Sequence, residues 1–278
     1  MTATVTSRAE AFRDLHAGPE LFVIPNPWDQ GTARVLAGMG AKALATTSAG
    51  LAYTLGRRDG EGAISREEAL DHTKQLIDAV DIPVSADFEN GFADDPADIA
   101  ETIRLAAEIG LAGASIEDAT GNPVNPIYPF DLAVERIAAA VEVVRGLGRP
   151  FMLTARSENL LHGISDLDDT FQRLKAFQDV GADVLYAPGL RRISDIRDFC
   201  TGLDRPINVL ASLPNAGLNL ADLQSAGVRR VSVGSTMARA AMGAMIGAFD
   251  EMMADGTFTF ADKAPGFAAL DSFMTTQQ

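Results

Sequence analysis

The amino-acid sequence predicts an α/β chain closed into one (β/α)8 barrel, the TIM-barrel architecture, followed by a C-terminal helical extension. Two observations carry this expectation. Short runs of apolar and β-branched residues recur eight times, and the stretches between them carry the 3.6-residue period of amphipathic helices. No low-complexity tract or Pro/Gly-rich linker interrupts the alternation across the 278 residues, so a single domain is expected, with barrel over about 20–250 and extension over about 255–278. Continuous apolar strands, each followed by a helix, belong to a parallel sheet covered on both faces, and eight such units fit a closed barrel.

Taken in order, the first run is LFVIPN (21–26), ending on Asn26 with Asp29 just beyond. The second is ALATTSAG (43–50), carrying Thr47 and Ser48, and LGRRDGEG (55–62) reads as the turn after it. IPVSADFE (82–89) ends in Asp87 and Glu89; the helix PADIAETIRLAAEIG (96–110) opens on proline and stops at glycine. GASIED (113–118) closes on Glu117 and Asp118, ahead of the helix LAVERIAAAVEVVRGLG (132–148). FMLTARSE (151–158) delivers Arg156 and Glu158, and DDTFQRLKAFQDVGA (168–182) follows as a helix. ADVLYAPG (182–189), PINVLAS (206–212) with Asn208, and RRVSVGS (229–235) with Ser232 and Ser235 complete the set. Met237, Met242 and Met245 then fall at helical spacing, as packing residues of the last helix. A doubly wound open sheet is the weaker alternative, because LFVIPNPWDQG lacks the G-x-G-x-x-G fingerprint expected after a first strand.

A formal net charge of −15 disfavours nucleic-acid and anionic-membrane partners, both of which need clustered Lys and Arg. One cysteine, Cys200, excludes an internal disulfide and a thiolate-rich metal site. The opening MTATVTSRAEAFRD has no apolar signal core, and AAMGAMIGAF (240–249) is too short to span a bilayer, so a cytoplasmic location is expected.

In barrels of this kind the chemistry sits at the carboxyl ends of the strands. The polar residues named above fall there, on one rim. Asp87, Glu89 and Glu117 with their neighbours form an all-oxygen set without Cys or His, which suits Mg²⁺ or Mn²⁺ and not Zn²⁺. Mg²⁺ retains most of its waters, so some of these acids are expected to act through water. Arg156 would face the anionic end of a substrate. Simpler roles stand beside these: Asp118, Asp94 and Ser65 fit helix N-caps, and Arg156 fits a counter-ion to Glu158 or Glu117. His16 and His72 are read as surface residues. His162 lies near the rim, and VSVGS (231–235) is a weak candidate for a phosphate turn.

These residues resemble the isocitrate lyase and phosphoenolpyruvate mutase superfamily, from about Phe22 to about Ala248. The family's D-x-D-x-G-[YF] segment at the end of the third strand is matched by Asp87-Phe-Glu-Asn-Gly-Phe92, with Glu89 in place of the second Asp. Its Glu-Asp pair is matched by Glu117-Asp118, its A-R motif by Ala155-Arg156, and its L-G-x-x-D loop by Leu55 to Asp59. The resemblance implies that Asp87 binds Mg²⁺ directly while Asp59, Glu89 and Glu117 hold its waters. It also implies that Arg156 and the backbone of Thr47, Ser48 and Ala49 grip the carboxylate of an α-oxo acid, with Asn208 nearby. The implied chemistry is stabilisation of an enolate as a C–C or P–C bond changes. Homodimers or homotetramers that exchange a C-terminal helix are implied in the same way.

One loop departs from that pattern. Where lyases of the family carry K-[KR]-C-G-H, with Cys as general acid, this chain reads ATGNPVNPIYPFD (119–131). The mutase and phosphonopyruvate-hydrolase branch places Lys, Thr and Asn in the loop, and of the Asn and Lys this chain offers only Asn122 and Asn125. The expectation is therefore a Mg²⁺-dependent C–C lyase, decarboxylase or hydrolase on an oxaloacetate-like α-oxo acid. P–C chemistry and a non-catalytic oxo-acid-binding barrel are the alternatives, and the Pro-rich loop is a candidate lid.

Overall fold

A computed structural model of the chain describes residues 3–214 and 217–274. The strands are β1 (Phe22–Ile24), β2 (Leu44–Ala45), β3 (Val84–Asp87), β4 (Gly113–Glu117), β5 (Met152–Arg156), β6 (Val184–Tyr186), β7 (Ile207–Leu210) and β8 (Arg230–Ser232). All eight expected runs contain one. They form one parallel sheet in the order β1-β8-β7-β6-β5-β4-β3-β2, wrapped into a nearly closed barrel. Around it run α2 (Gln30–Gly38), α4 (Arg66–Ala79), α5 (Pro96–Glu108), α6 (Phe130–Gly146), α7 (Leu167–Val180), α8 (Ile193–Gly202) and α9 (Leu220–Ser225). The second run is cut short by its own chemistry. The Thr47 hydroxyl accepts from the Gly50 amide at 3.3 Å and caps a helix, α3 (Ser48–Thr54), so Thr47 and Ser48 leave the strand.

The seam between β1 and β2 lacks a regular ladder because Pro25 and Pro27 bracket Asn26 and offer no N–H groups. The Asn26 side chain takes over. Its amide nitrogen donates to the carbonyls of Ala45 (3.2 Å) and Thr46 (3.0 Å), and its oxygen accepts from the amides of Val233 (3.0 Å) and Gly234 (2.9 Å). One backbone bond, from Ala45 N–H to the Pro25 carbonyl at 3.1 Å, completes the closure. Asn26 is thus a structural residue of the rim. Asp29 and Ser65 are capping residues, each in a reciprocal capping box.

The amino-terminal mouth of the barrel is sealed by α1 (Val5–Ala17), whose Phe12 and His16 pack among Phe22, Ala112, Met152 and Val184 at the starts of the strands. Gly113 is required there: a Cβ would come within 2.4 Å of the Met152 carbonyl oxygen. His16 is therefore buried, contrary to the surface position expected for it, because α1 crosses beneath the sheet, which helical periodicity alone does not reveal. Its Nδ1–H donates to the Phe12 carbonyl at 2.8 Å, and its Nε2 is left to accept from Arg230 at 3.3 Å. Burial, and then the Arg230 charge, lower its pKa to about 3.

After β8 comes α10 (Thr236–Ala254), which buries only Ala238. Met237 and Met245 are exposed, together with Ile246, Phe249 and Met253, so the packing expected of those two methionines does not occur within one chain, while Met242 is half-buried. A short 3-10 turn (Thr259–Lys263) leads to α11 (Phe267–Met274), which returns to α2, where the Arg34 guanidinium donates to the Met274 carbonyl at 2.7 Å. No helix among the described residues is long and apolar enough to cross a membrane.

Asn26→Ala strands four buried backbone groups and should cost about 2–4 kcal/mol, read from urea unfolding midpoints. A loss below about 0.5 kcal/mol would show that the seam holds without it. His16 makes a pH-dependent contribution of known sign: its folded pKa lies below the unfolded value, so its stabilisation is complete above about 6.5 and fades as pH falls towards 3. The slope from this group is about 1.4 kcal/mol per pH unit, and His16→Gln should remove that slope from the acid limb of the stability curve.

Candidate active site

Arg156 ends β5, and the parallel register sets it beside Glu117 at the end of β4 and Tyr186 at the end of β6. Its Nη1 meets Asp87 Oδ1 at 2.7 Å, its Nη2 meets Glu117 Oε2 at 3.0 Å, and its Nε meets Glu158 Oε1 at 2.9 Å. Each nitrogen of the fork thus holds one carboxylate. The guanidinium carbon also lies 5.2 Å from the Tyr186 ring centre. Burial works against the charge of Arg156, but Glu158, Glu117 and Asp87 outweigh it and hold its pKa well above the ordinary value.

The turn leaving β3 is tightly wound. Glu89 (φ +48°), Gly91 (φ +80°) and Phe92 (φ +65°) are all left-handed, a conformation that costs non-glycine residues on the order of 1 kcal/mol or more. The turn puts the Glu89 carbonyl within 2.9 Å of the Glu117 amide and the Glu89 amide 3.3 Å from Asp87 Oδ1. Arg136, buried on α6, holds it in place by donating to the carbonyls of Asn90, Ala93 (2.6 Å) and Asp94 (2.7 Å). The same guanidinium lies 4.0 Å from the Tyr128 ring centre, and the Tyr128 hydroxyl bonds Asp94 and accepts from Asn90 at 3.2 Å.

The acids raise one another's pKa. Burial first, then the charges of Asp87 and Asp59, push Glu89 up to about 7. Burial lifts Glu117 well above the usual range, opposed by Arg156 and reinforced by Glu158, Asp87 and Glu89. Partial withdrawal from water and the Asp87 charge raise Asp59, which also bonds the Ser48 side chain. Asp118 belongs to a different network: it accepts from the Glu158 amide at 2.7 Å and pairs with Arg173 at 3.2 Å, and burial pushes it up to about 6.

A cavity of about 180 Å³ opens at this rim, and Thr47, Ser48, Ala49, Asp59, Asp87, Arg156 and Asn208 line it. At roughly 30 Å³ per water that is room for about six waters, the scale of a metabolite of a few carbon atoms. Glu117 and Glu89 stand directly behind Arg156 and Asp87. Asn122 and Asn125 do not reach the cavity. Their loop folds on itself through an antiparallel Ala119–Ile127 bridge, Asn122 accepts from the Val124 amide at 2.9 Å, and both side chains are exposed. His162 is exposed beyond the rim, and Cys200 lies on α8, away from the cavity, its thiol pushed up to about 11 by burial. Several lining residues escaped the sequence reading, among them Thr46, Ser85, Ser115, Tyr186 and Arg230. Tyr186 was available from the strand-end rule that gave Arg156, and Arg230 from being a charge inside an apolar run.

Among the described residues no three carboxylate, His or Cys side chains are gathered into a formed metal cage, since Arg156 stands between Asp87 and Glu117. The donor chemistry nevertheless fits a hard divalent cation. Asp59, Asp87, Glu89 and Glu117 supply only oxygen, and Arg156 alone offsets them.

Strands, rim and acids together define a barrel with a charged cavity at the carboxyl ends of its strands. The chain belongs to the phosphoenolpyruvate phosphomutase family, whose model matches residues 12–253, and so to the phosphoenolpyruvate mutase/isocitrate lyase superfamily, whose members include lyases and mutases. It is 29% identical over 252 residues to a Corynebacterium glutamicum protein named "probable 2-methylisocitrate lyase 2", covering 86% of this chain and 78% of that one. A crystal structure from Burkholderia cenocepacia J2315, provisionally a lyase/mutase, is 52% identical with a TM-score of 0.95, covering 99% of this chain and 98% of that chain. The structure of an oxaloacetate acetylhydrolase with the inhibitor 3,3-difluorooxalacetate is 25% identical with a TM-score of 0.84, covering 97% of this chain and 93% of that one.

Arg156→Met leaves three buried carboxylates without their cation and should cost about 3–5 kcal/mol at neutral pH. Without Arg156, which opposes the rise, the folded-state pKa values of Glu117 and Glu89 go further above their unfolded values, so the variant should regain stability as pH falls from 7 towards 5. Thermal unfolding across that range checks the sign, and a loss independent of pH would contradict it.

Proposed function

We propose that this chain is a Mg²⁺- or Mn²⁺-dependent enzyme that acts on a small α-oxo acid through an enolate, most simply as a C–C lyase, decarboxylase or hydrolase on an oxaloacetate-like substrate. The observation that carries the reading is the convergence of Asp59, Asp87 and Arg156 on a cavity sized for a few carbon atoms, with Glu117 paired to Arg156 beside it. A cation held by Asp87, with Asp59, Glu89 and Glu117 around it, would supply electrophilic stabilisation of charge developing on the α-carbonyl oxygen. Arg156 would meet the adjacent carboxylate with its charge and the two N–H groups left over from its three ion pairs, aided by the backbone of Thr47, Ser48 and Ala49. The wall formed by Tyr186 and Asn208 would exclude water and fix the substrate's orientation.

The 119–131 loop, where lyases of the family carry their general acid, places no side chain in the cavity lining. Tyr128 is the ionisable side chain of the 119–131 loop nearest the rim, yet it is bonded to Asp94 and its pKa is pushed up to about 12 by burial and that bond. This supports loss of a fragment that needs no proton at carbon, such as CO₂, over cleavage of isocitrate or 2-methylisocitrate. P–C bond chemistry has weaker support, since the loop contains no lysine. The exposed Met245, Ile246, Phe249 and Met253 of α10 support a homodimer or homotetramer in which this helix packs on another copy.

Calorimetry with Mg²⁺ and oxalate should show binding to the native protein, and Asp87→Ala should abolish it while unfolding close to the native temperature, because Arg156 keeps two carboxylates. Oxaloacetate should be consumed, and 2-methylisocitrate turned over at least 10²-fold more slowly, the lower bound for a missing general acid. Native metal affinity in Asp87→Ala, or robust methylisocitrate cleavage, refutes the assignment. Oxalate binding without turnover of any oxo acid would favour a binding protein.

A further inference from the structure

The turn that sets Glu89 beside Asp87 is held by a side chain that bonds neither carboxylate. Arg136 on α6 is only 1% exposed, the largest side chain to be so fully buried among the described residues. Its Nη2 donates to the Asn90 carbonyl, and its Nη1 to the carbonyls of Ala93 at 2.6 Å and Asp94 at 2.7 Å. The local backbone explains why a side chain is needed there. With Glu89, Gly91 and Phe92 all left-handed, no helix or strand ladder takes up the carbonyls that follow β3, and buried carbonyls must find partners elsewhere. Thr102 on α5 donates to that of Gly91 at 2.9 Å, and Arg136 supplies the other three.

Tyr128 braces the same arrangement. Its ring centre lies 4.0 Å from the guanidinium carbon, and its hydroxyl bonds the Asp94 carboxylate and accepts from the Asn90 side chain at 3.2 Å. Asn90 Oδ1 accepts in turn from the Phe92 amide at 3.0 Å. The consequence falls on the acids. Because the Glu89 amide donates to Asp87 Oδ1 at 3.3 Å and the Glu89 carbonyl accepts from the Glu117 amide at 2.9 Å, the backbone angle at Glu89 governs how Asp87 and Glu89 are presented. A non-glycine residue at φ +48° stays there only while its surroundings impose it. Released, it relaxes to negative φ and turns its amide away from Asp87.

We propose that Arg136, braced by Tyr128, is a positioning residue for the cation: it sets the affinity of Asp87 and Glu89 for a divalent metal, without touching that metal, by holding the turn after β3 in its left-handed form. This rests on the cation reading above and adds to it a residue outside the cavity. Groups that orient metal ligands typically contribute about 10- to 100-fold in affinity, and that is the effect expected of Arg136.

Mn²⁺ uptake, read from the loss of the free-ion EPR signal well below each variant's unfolding temperature, provides the test. Arg136→Met should bind Mn²⁺ at least about tenfold more weakly than the native protein, and Arg136→Lys, which keeps the charge but not the fork, should fall between them. Tyr128→Phe removes only the hydroxyl bonds to Asp94 and Asn90 and should weaken Mn²⁺ binding by about threefold or more. Ile137→Ala empties a buried site one residue along α6 and lowers stability, yet leaves the bonds of the turn in place, so its Mn²⁺ affinity should stay within about twofold of native. Native affinity in a folded Arg136→Met overturns the proposal; where neither arginine variant folds, native affinity in Tyr128→Phe does so. An equal loss in Ile137→Ala overturns it as well, since the effect would then be a general loosening of α6. If the native protein takes up no Mn²⁺, the cation reading itself fails and this inference falls with it.

Discussion

One guanidinium balances three buried carboxylates at the carboxyl ends of β3, β4 and β5. The fork of Arg156 matches Asp87, Glu117 and Glu158 one nitrogen at a time, which a point charge could not do. A barrel makes the arrangement possible, because parallel register brings the last residues of neighbouring strands to one level. The rest of the rim depends on that level being held. Asn26 closes the seam that two prolines open, and α1 plugs the opposite mouth, so the strand ends cannot splay.

The strained turn after β3 shows how the surrounding structure maintains the site. Glu89 and Phe92 are left-handed, and nothing in their own chemistry favours it. Arg136 and Tyr128 hold the turn from behind through Asn90 and Asp94. Tyr128 also closes the base of the 119–131 loop, donating its amide to the Asp118 carbonyl at 2.8 Å while its own carbonyl accepts from Arg173 at 3.0 Å. The candidate lid and the turn after β3 therefore share one side chain, Tyr128.

Much of this was legible beforehand, for a definite reason. Strand runs announce themselves by composition, and in a barrel the polar residue that ends a run faces the rim, so Asp87, Glu117 and Arg156 could be named from position alone. What escaped depends on tertiary context. The burial of His16 follows from α1 crossing under the barrel, and the exposure of Met245 from α10 leaving its flank; periodicity gives the same signal in either case. Asn122 and Asn125 sit where the loop suggested, but Asn122 is turned back to the Val124 amide and the Asn125 carbonyl accepts from the Thr120 hydroxyl, so the loop folds on itself. Arg230 was visible in RRVSVGS and passed over, although an arginine in a lumen strand rarely lacks a purpose.

The charge count explains why the site is both costly and poised. Asp59, Asp87, Glu89, Glu117 and Glu158 contribute five formal negative charges, and Arg156 and Arg230 two positive, an excess of three around one cavity. Burial relieves part of it by driving Glu89 and Glu117 towards their protonated forms. A divalent cation would relieve the same excess from the other side, so protons and metal compete for one set of oxygens and cation binding must release protons.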